Sequence, residues 1–387
     1  MSAELPAGIV EAVRDDLVSR PGELTPHRVA EALRRAGRPV GDATVLAVHD
    51  ALRRDVLGAG PLEPLLRLPG VTDVLVNGPA AVHLDRGDGL ELTDVRFRDD
   101  EAVRRLALRL AATAGRRLDD ATPYADLRLA DGTRFHAVLA PVARPGTVVS
   151  LRVPSARQFS MTGLVGAGML GPGAARLLAA VVAARLAFLV SGGTGSGKTT
   201  LLAALLATVP PEERLVLVED ASELRPDHPH VVGLEGRPPN IEGAGAIDVR
   251  TLVRQALRMR PDRLVVGEVR GGEVVDLLAA LNTGHEGGCG TLHANSAADV
   301  PARVEALALA AGLGRHAVHS QLASGVDLVL HLARDRDGVR RLREVAVPVR
   351  DDAGLVRMET AVRFEPDGRE VTGPAAARLE RALADAS

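Results

Sequence analysis

The sequence is poor in sulfur, in aromatic rings and in lysine. One cysteine, Cys289, among 387 residues excludes an intrachain disulfide, and with no second thiol an all-cysteine zinc module is impossible. With no tryptophan, one tyrosine and five phenylalanines the core must be largely aliphatic, and little is left for stacking on nucleobases. Neither sign of charge dominates. There are 47 lysines plus arginines against 50 aspartates plus glutamates, and a net charge of −3 gives no global basic field toward nucleic acid. Long apolar runs are also missing. The most apolar stretch, 177–191, is too short to span a bilayer and carries Arg185, so a buried helix followed by a strand fits it better. Ser2, Glu4 and Pro6 lead into a segment charged throughout, which does not read as a secretory leader, and a cytoplasmic protein is expected.

Of the 47 basic residues one alone is a lysine, Lys198. A general preference for arginine explains the other positions. It does not explain why one lysine remains inside a glycine loop. A compact ammonium fits among phosphate oxygens where a planar guanidinium does not. The exception therefore marks the loop as used.

What is present is ordinary for a soluble globular chain, 46% apolar and 25% charged, and the length predicts two or three domains. Residues 1–60 read as a helical N-terminal extension. Thr25 can cap a helix beginning at Pro26, with Val29, Ala32, Leu33 and Ala36 on one face; Val45, Val48, His49, Leu52 and Val56 form a second stripe. Residues 61–153 read as a small α/β domain. Its strands are predicted at 73–77, 82–85, 90–97, 127–130, 134–139 and 148–153, its helix at 102–114, and a hairpin turn at Asp131-Gly132. Two prolines and five glycines place an interdomain linker at 154–173. From 174 to 350 apolar strands (186–191, 215–219, 264–267, 290–293, 327–333, 341–349) accompany helices at 174–184, 198–208, 249–259, 272–282 and 298–311. That alternation predicts an α/β fold with a mostly parallel sheet covered on both faces. Residues 351–387 read as a tail of a strand or two and a helix.

Gly192-Gly193-Thr194-Gly195-Ser196-Gly197-Lys198-Thr199 satisfies the phosphate-loop pattern G-x-x-x-x-G-K-[ST] in full, between an apolar strand and a helix. Glycines let the backbone curl so that N–H groups face phosphate oxygens, and the helix N-terminus adds partial positive charge. Lys198 would reach the β- and γ-phosphates. The Thr199 hydroxyl would ligate Mg²⁺, with Thr200 beside it. ATP and Mg²⁺ are the expected ligands.

Hydrolysis also needs acids. The strand 215–218 runs into Glu219 and Asp220, with Glu223 close behind, and the strand 264–267 runs into Glu268. A parallel sheet delivers such groups to its carboxyl edge, beside the loop. Gly267 stands where an aspartate is usual. One of Glu268 and Glu219 should orient or deprotonate the attacking water, and the other should hold the metal through water. His293 ends another apolar strand. On its own such a histidine is more often structural, as is His285. Cys289 reads as a small buried residue.

Four motifs now stand in order: the glycine loop, then Val218-Glu219-Asp220-Ala221-Ser222-Glu223-Leu224, then Arg258 to Arg270 around Gly267-Glu268, then Gly290-Thr291-Leu292-His293-Ala294-Asn295. Together they resemble the type II/IV secretion ATPases of the GspE/PilT superfamily, as Asp box, atypical Walker B and His box. In the N-terminal half, Gly58-Ala59-Gly60-Pro61-Leu62-Glu63-Pro64-Leu65, Val71-Thr72-Asp73-Val74-Leu75-Val76-Asn77-Gly78 and the run from Asp126 to Arg134 resemble the CpaF/TadA branch, which powers assembly of Flp (tight-adherence) pili. The likeness spans about residues 55–350; the first 55 show no clear match. Departures are Leu127, where the family often has alanine, and Gly288-Cys289, where a serine-rich stretch is usual.

The resemblance implies a RecA-like ATPase domain preceded by a PAS-like domain, and a homo-hexameric ring with nucleotide between the two. It implies that Arg134 and Arg152 reach the phosphates, with Arg128 as a contributor in trans. It raises His293 to a γ-phosphate-proximal sensor and adds Arg270 behind the acids. It implies integral inner-membrane platform proteins as partners, and a motor held peripherally at the inner face of the membrane. The traffic ATPase of a type IV secretion or conjugal-transfer system is the alternative, since the same boxes serve both. Two other classes compete. A RecA-like nucleic-acid motor sits poorly with the acidic balance and scarce aromatics. A nucleotide-gated scaffold sits poorly with Glu219, Glu268 and His293 together.

Overall fold

Alternating burial along five short strands, with a sixth exposed at the sheet edge, builds the first half of the molecule. In this computed structural model residues 13, 16, 25–38, 40–56, 58–87, 89–154, 159–240, 243–335 and 337–385 are described, and the chain divides into two units, Met1–Ala156 and Arg157–Ser387. The first unit holds β1 (Asp73–Asn77), β2 (Val82–Asp85), β3 (Leu90–Leu92), β4 (Tyr124–Arg128), β5 (Arg134–Val138) and β6 (Val148–Arg152), in the order β3-β2-β1-β6-β5-β4. Neighbours are antiparallel throughout. Val74, Val76, Phe135, Ala137, Val149 and Leu151 share one face with Val103, Leu106, Ala107 and Leu110 of the helix Asp100–Thr113. Asp99 caps that helix by accepting from the Ala102 N–H.

The strand expected at 90–97 ends at Leu92. Thr93 Oγ1 donates to the Val82 carbonyl and accepts from the Val95 N–H, so a side chain takes over the backbone's partners and turns the chain away. Ahead of the sheet, the helices Pro26–Arg35 and Asp42–Val56 bury Val29, Ala32, Leu33, Val45, Val48 and Leu52 in a core of their own. Apart from Val13 and Asp16, the expected helical extension before Thr25, and the side chain of Val56, lie outside the described residues.

The second unit is a nine-stranded sheet: β7 (Phe188–Gly192), β8 (Leu215–Glu219), β9 (Val231–Glu235), β10 (Arg263–Val269), β11 (Cys289–Leu292), β12 (Leu328–Arg334), β13 (Arg340–Arg350), β14 (Val356–Phe364) and β15 (Glu370–Thr372). The order is β15-β14-β13-β12-β7-β11-β10-β8-β9. From β12 to β9 every neighbouring pair is parallel, and β13 to β15 extend the sheet antiparallel. Successive residues alternate sides. Phe188, Val190, Leu217, Val265 and Leu330 pack with Leu178, Leu201 and Leu205 from the helices Pro172–Ala183 and Lys198–Leu206. Leu189, Val218, Val266 and Val329 pack with Val253, Leu277, Val304 and Leu322 from four helices on the other face. This is the α/β arrangement the alternation predicts.

Part of 154–173 is more ordered than a linker. The helix Met161–Gly166, capped by Ser160, buries Leu164 with Met169 and Leu170 in the core of the second unit. The glycines there punctuate apolar side chains that need a core.

Candidate nucleotide site

The chain leaves β7 at Gly192 and enters the helix Lys198–Leu206 through the glycine loop. Two glycines are obligatory on geometry. A Cβ on Gly192 would meet the Leu332 carbonyl oxygen at 2.4 Å, and Gly197 precedes the helix at φ 95°. The helix has no side-chain cap, so its first N–H groups face the loop. Ser196 is buried and donates to the Gly193 carbonyl at 2.9 Å. Thr199 and Thr200 are half-buried at the helix start. Lys198 lies back across the loop, its Nζ donating to the carbonyls of Gly192 (3.0 Å) and Gly193 (2.9 Å). Burial lowers its pKa and Arg270 adds to that, while Glu268 opposes them.

Glu268, Arg270 and His293 meet this lysine. Arg270 Nη2 lies 2.6 Å from Glu268 Oε2, His293 Nε2 lies 2.5 Å from Glu268 Oε1, and His293 Nδ1 is 3.5 Å from Lys198 Nζ. The result is a line Arg270–Glu268–His293–Lys198 along the carboxyl edge of the parallel strands. Burial works to raise the Glu268 pKa. The hydrogen bond from Arg270, with the charges of Arg270, His293 and Lys198, outweighs it and holds the carboxylate below its ordinary range. Glu268 Oε1 is shielded from solvent and, despite the close His293 ring, has no donor in hydrogen-bond geometry. Arg270 is raised by its Glu268 hydrogen bond against some burial, helped by the charges of Asp220 and Glu223.

Glu219 has a different environment. It is 5% exposed, and its Oε1 accepts from the backbone N–H groups of Glu223 and Leu224, each at 3.0 Å. Burial nevertheless pushes its carboxyl up to about 7. Gly267 explains the position. A Cβ there would stand 2.5 Å from Glu219 Cγ, so the absent aspartate is the space that Glu219 fills. Asp220 is exposed just beyond it, near Gly236.

One contributor was not singled out from sequence. Glu273 is buried, and its Oε1 accepts from the Arg270 (2.5 Å) and Gly271 (2.7 Å) N–H groups, fixing the turn that presents Arg270 to Glu268. The signal available was a glutamate three residues into a turn ahead of an apolar run, the reach-back half of a capping box. His285 sits apart, its ring against the Ala280 carbonyl, and Cys289 is buried with its thiol pushed up to about 12 by burial.

The three arginines expected from the N-terminal domain lie on the first unit's sheet. Register sets Asp85, Asp73, Arg152, Arg134 and Arg128 side by side across β2, β1, β6, β5 and β4. Arg152 pairs with Asp73 at 2.9 Å, and Arg128 Nε donates to the Gly132 carbonyl.

The residues fit Mg²⁺–ATP on three observations: a glycine loop open at Gly193 and Gly195, an ammonium folded onto its rim, and an ionised acid beside it. Among the described residues no group of three or more His, Cys, Asp or Glu side chains is arranged to hold a metal ion.

Residues 55–362 match the family described as type II/IV secretion system protein. A putative conjugal transfer protein of Mycobacterium tuberculosis is 58% identical over 327 residues, which cover 83% of this chain and 93% of that one. The type IV secretion system protein PtlH of Bordetella pertussis is 34% identical over 259 residues, 61% of this chain and 76% of its own. The ATPase DotB of Legionella pneumophila has a similar fold, with a TM-score of 0.51 at 21% identity over 76% of this chain and 80% of its own. No helix among the described residues is long and apolar enough to cross a membrane.

Proposed function

The chain belongs to the type II/IV secretion system protein family, and from that premise we propose that it is an ATP-hydrolysing motor of a conjugal-transfer or type IV secretion apparatus. The observation that carries the ATPase reading is the line Arg270–Glu268–His293–Lys198 beside the glycine loop. Lys198 and the loop's N–H groups bind the phosphates. Glu268 is the base: it stays ionised, and its carboxylate would orient a water and accept its proton as the water oxygen attacks the terminal phosphorus. His293, between acid and lysine, reads the terminal phosphate. Glu219 spends an oxygen on the backbone of the 219–224 loop and positions that loop rather than the water. Thr199, with Glu268 or Glu219 through water, would hold Mg²⁺, which would supply charge neutralisation at the phosphates.

Arg134, Arg152 and Arg128, on the first unit's sheet, are the candidates for stabilising charge on the transferring group. Register sets the three side by side, with Asp73 paired to Arg152 at the end of the row. The working assembly is a homo-hexamer acting on integral inner-membrane platform proteins, peripheral to the membrane.

The relatives named for conjugal transfer and type IV secretion favour this reading over the motor of a Flp pilus. The pilus reading rests on the CpaF/TadA-like runs at 58–65, 71–78 and 126–134. The test is phosphate release by the assembled protein. Lys198→Ala should abolish turnover by removing ATP binding, and Glu268→Gln should bind ATP with wild-type affinity while turnover falls by about 10²-fold or more. Hydrolysis unchanged in Glu268→Gln would reassign the base to Glu219.

A further inference from the structure

The mechanism leaves one buried titratable side chain beside the site unused. His331, 7% exposed on β12, stands in register with the fully buried Ser191 on β7, the residue immediately before Gly192. Ser191 Oγ and His331 Nδ1 are 2.9 Å apart. The ring also bonds to the backbone of Asn295, two residues beyond His293, in the sense that favours a protonated ring nitrogen. One imidazole therefore joins the strand that delivers the phosphate loop to the loop that carries His293.

The charges facing it are Glu344 on β13, Asp299 at the start of the helix Val300–Ala310, and Lys198 in the glycine loop. Burial lowers the His331 pKa, Glu344 and Asp299 oppose that, and Lys198 adds to it. With Nδ1 on the Ser191 hydroxyl, the neutral ring keeps its proton on Nε2 when that hydroxyl donates. Nδ1 then accepts from the Ser191 hydroxyl. The β12–β13 pairing shifts register between His331 and Leu332, a local break in the ladder at this residue. Lys198 touches His293 across the site at 3.5 Å. The phosphate loop and the His293 loop thus meet twice, once through groups that face nucleotide and once through His331 behind them.

We infer that His331 is a positioning residue that couples occupancy of the phosphate loop to the 293–299 loop. It touches no nucleotide. It acts through Ser191 on one side and Asn295 on the other. If the ring merely filled space, replacing it would leave the response of the His293 loop to nucleotide unchanged. A coupling ring, once lost, leaves nucleotide bound and the His293 loop indifferent to it.

The inference rests on the ATPase reading, and its test separates the two. Hydrogen exchange of the 293–299 amides is followed in the full chain with and without ADP, beside the affinity for a fluorescent ADP analogue and steady-state turnover. In the wild type ADP should slow exchange in 293–299. In His331→Ala the analogue should bind within about twofold, ADP should no longer slow that exchange, and kcat should fall about tenfold with little change in KM. His331→Gln, which keeps a donor and an acceptor, should restore most of both. Should His331→Ala fail to fold, Ser191→Ala cuts the same bond from the other strand and should give the same uncoupling. Changes in Ser191→Ala and His331→Ala that add in the double variant would overturn the inference, as would ADP protection persisting in a folded variant. A wild type that binds no ADP would instead overturn the ATPase reading.

Discussion

At Gly267 a missing side chain is the informative feature. The position reads from sequence as a lost aspartate, and in the structure it is the room that Glu219 needs. Gly267→Asp should therefore lower stability by about 1–3 kcal/mol, seen as a lower unfolding midpoint, and adding Glu219→Ala should recover part of it. Glu219 gives the pH counterpart. Its carboxyl is raised from 4.5 to about 7, so its contribution to stability is complete below pH 4.5 and is lost as pH rises to 7. Glu219→Gln does not titrate. Wild-type stability relative to this variant should fall across pH 4.5–7 by at most about 3 kcal/mol and then level off, which thermal unfolding against pH would check. Spacing singled out Lys198 and Glu268, and the family likeness added His293; the structure brings the three together. Single residues were illegible where the role depends on a neighbour distant in sequence. Nothing near Gly267 announces that Glu219 lies over it, and nothing near Glu268 says whether its carboxylate is satisfied.

At the scale of elements, one side chain joins the first unit's helix to a loop far along the chain. Asp100, at the start of the helix Asp100–Thr113, accepts from the Thr147 N–H at 2.6 Å and the Thr147 hydroxyl at 3.1 Å. Thr147 is buried. Asp100→Ala leaves that donor pair unmet and should destabilise the first unit by about 1–3 kcal/mol; a denaturant titration in which its transition did not move would contradict this. The period of the apolar residues placed most strands and helices. It failed for β9 (Val231–Glu235), whose half-exposed edge lacks the apolar run of a buried parallel strand, and for the helix Arg315–Gly325, where two histidines and two serines blur the stripe. It overran at 90–97 because Thr93's side-chain bonds outrank alternation there.

For the whole molecule, the arginine row offers the test of whether the first unit contributes to turnover. Arg134→Ala should leave unfolding transitions unchanged while cutting turnover of the assembled protein by about 10²-fold or more; mass measurement would verify the assembly, and a wild-type rate in an intact ring would remove arginines from the mechanism. The family was legible because its boxes keep their order along the chain. The apparatus it serves was not, since that depends on surfaces for other proteins and no spacing encodes them. The lone lysine carries a practical consequence at this scale. A reagent that acylates side-chain amines, elsewhere a broad modifier of surfaces, has a single such target in this chain, and that target is 7% exposed in the phosphate loop with a depressed pKa. Amine-directed cross-linkers therefore cannot join the side chains of neighbouring copies across their outer surfaces, and loss of the Lys198 amine to such a reagent reports the openness of one loop.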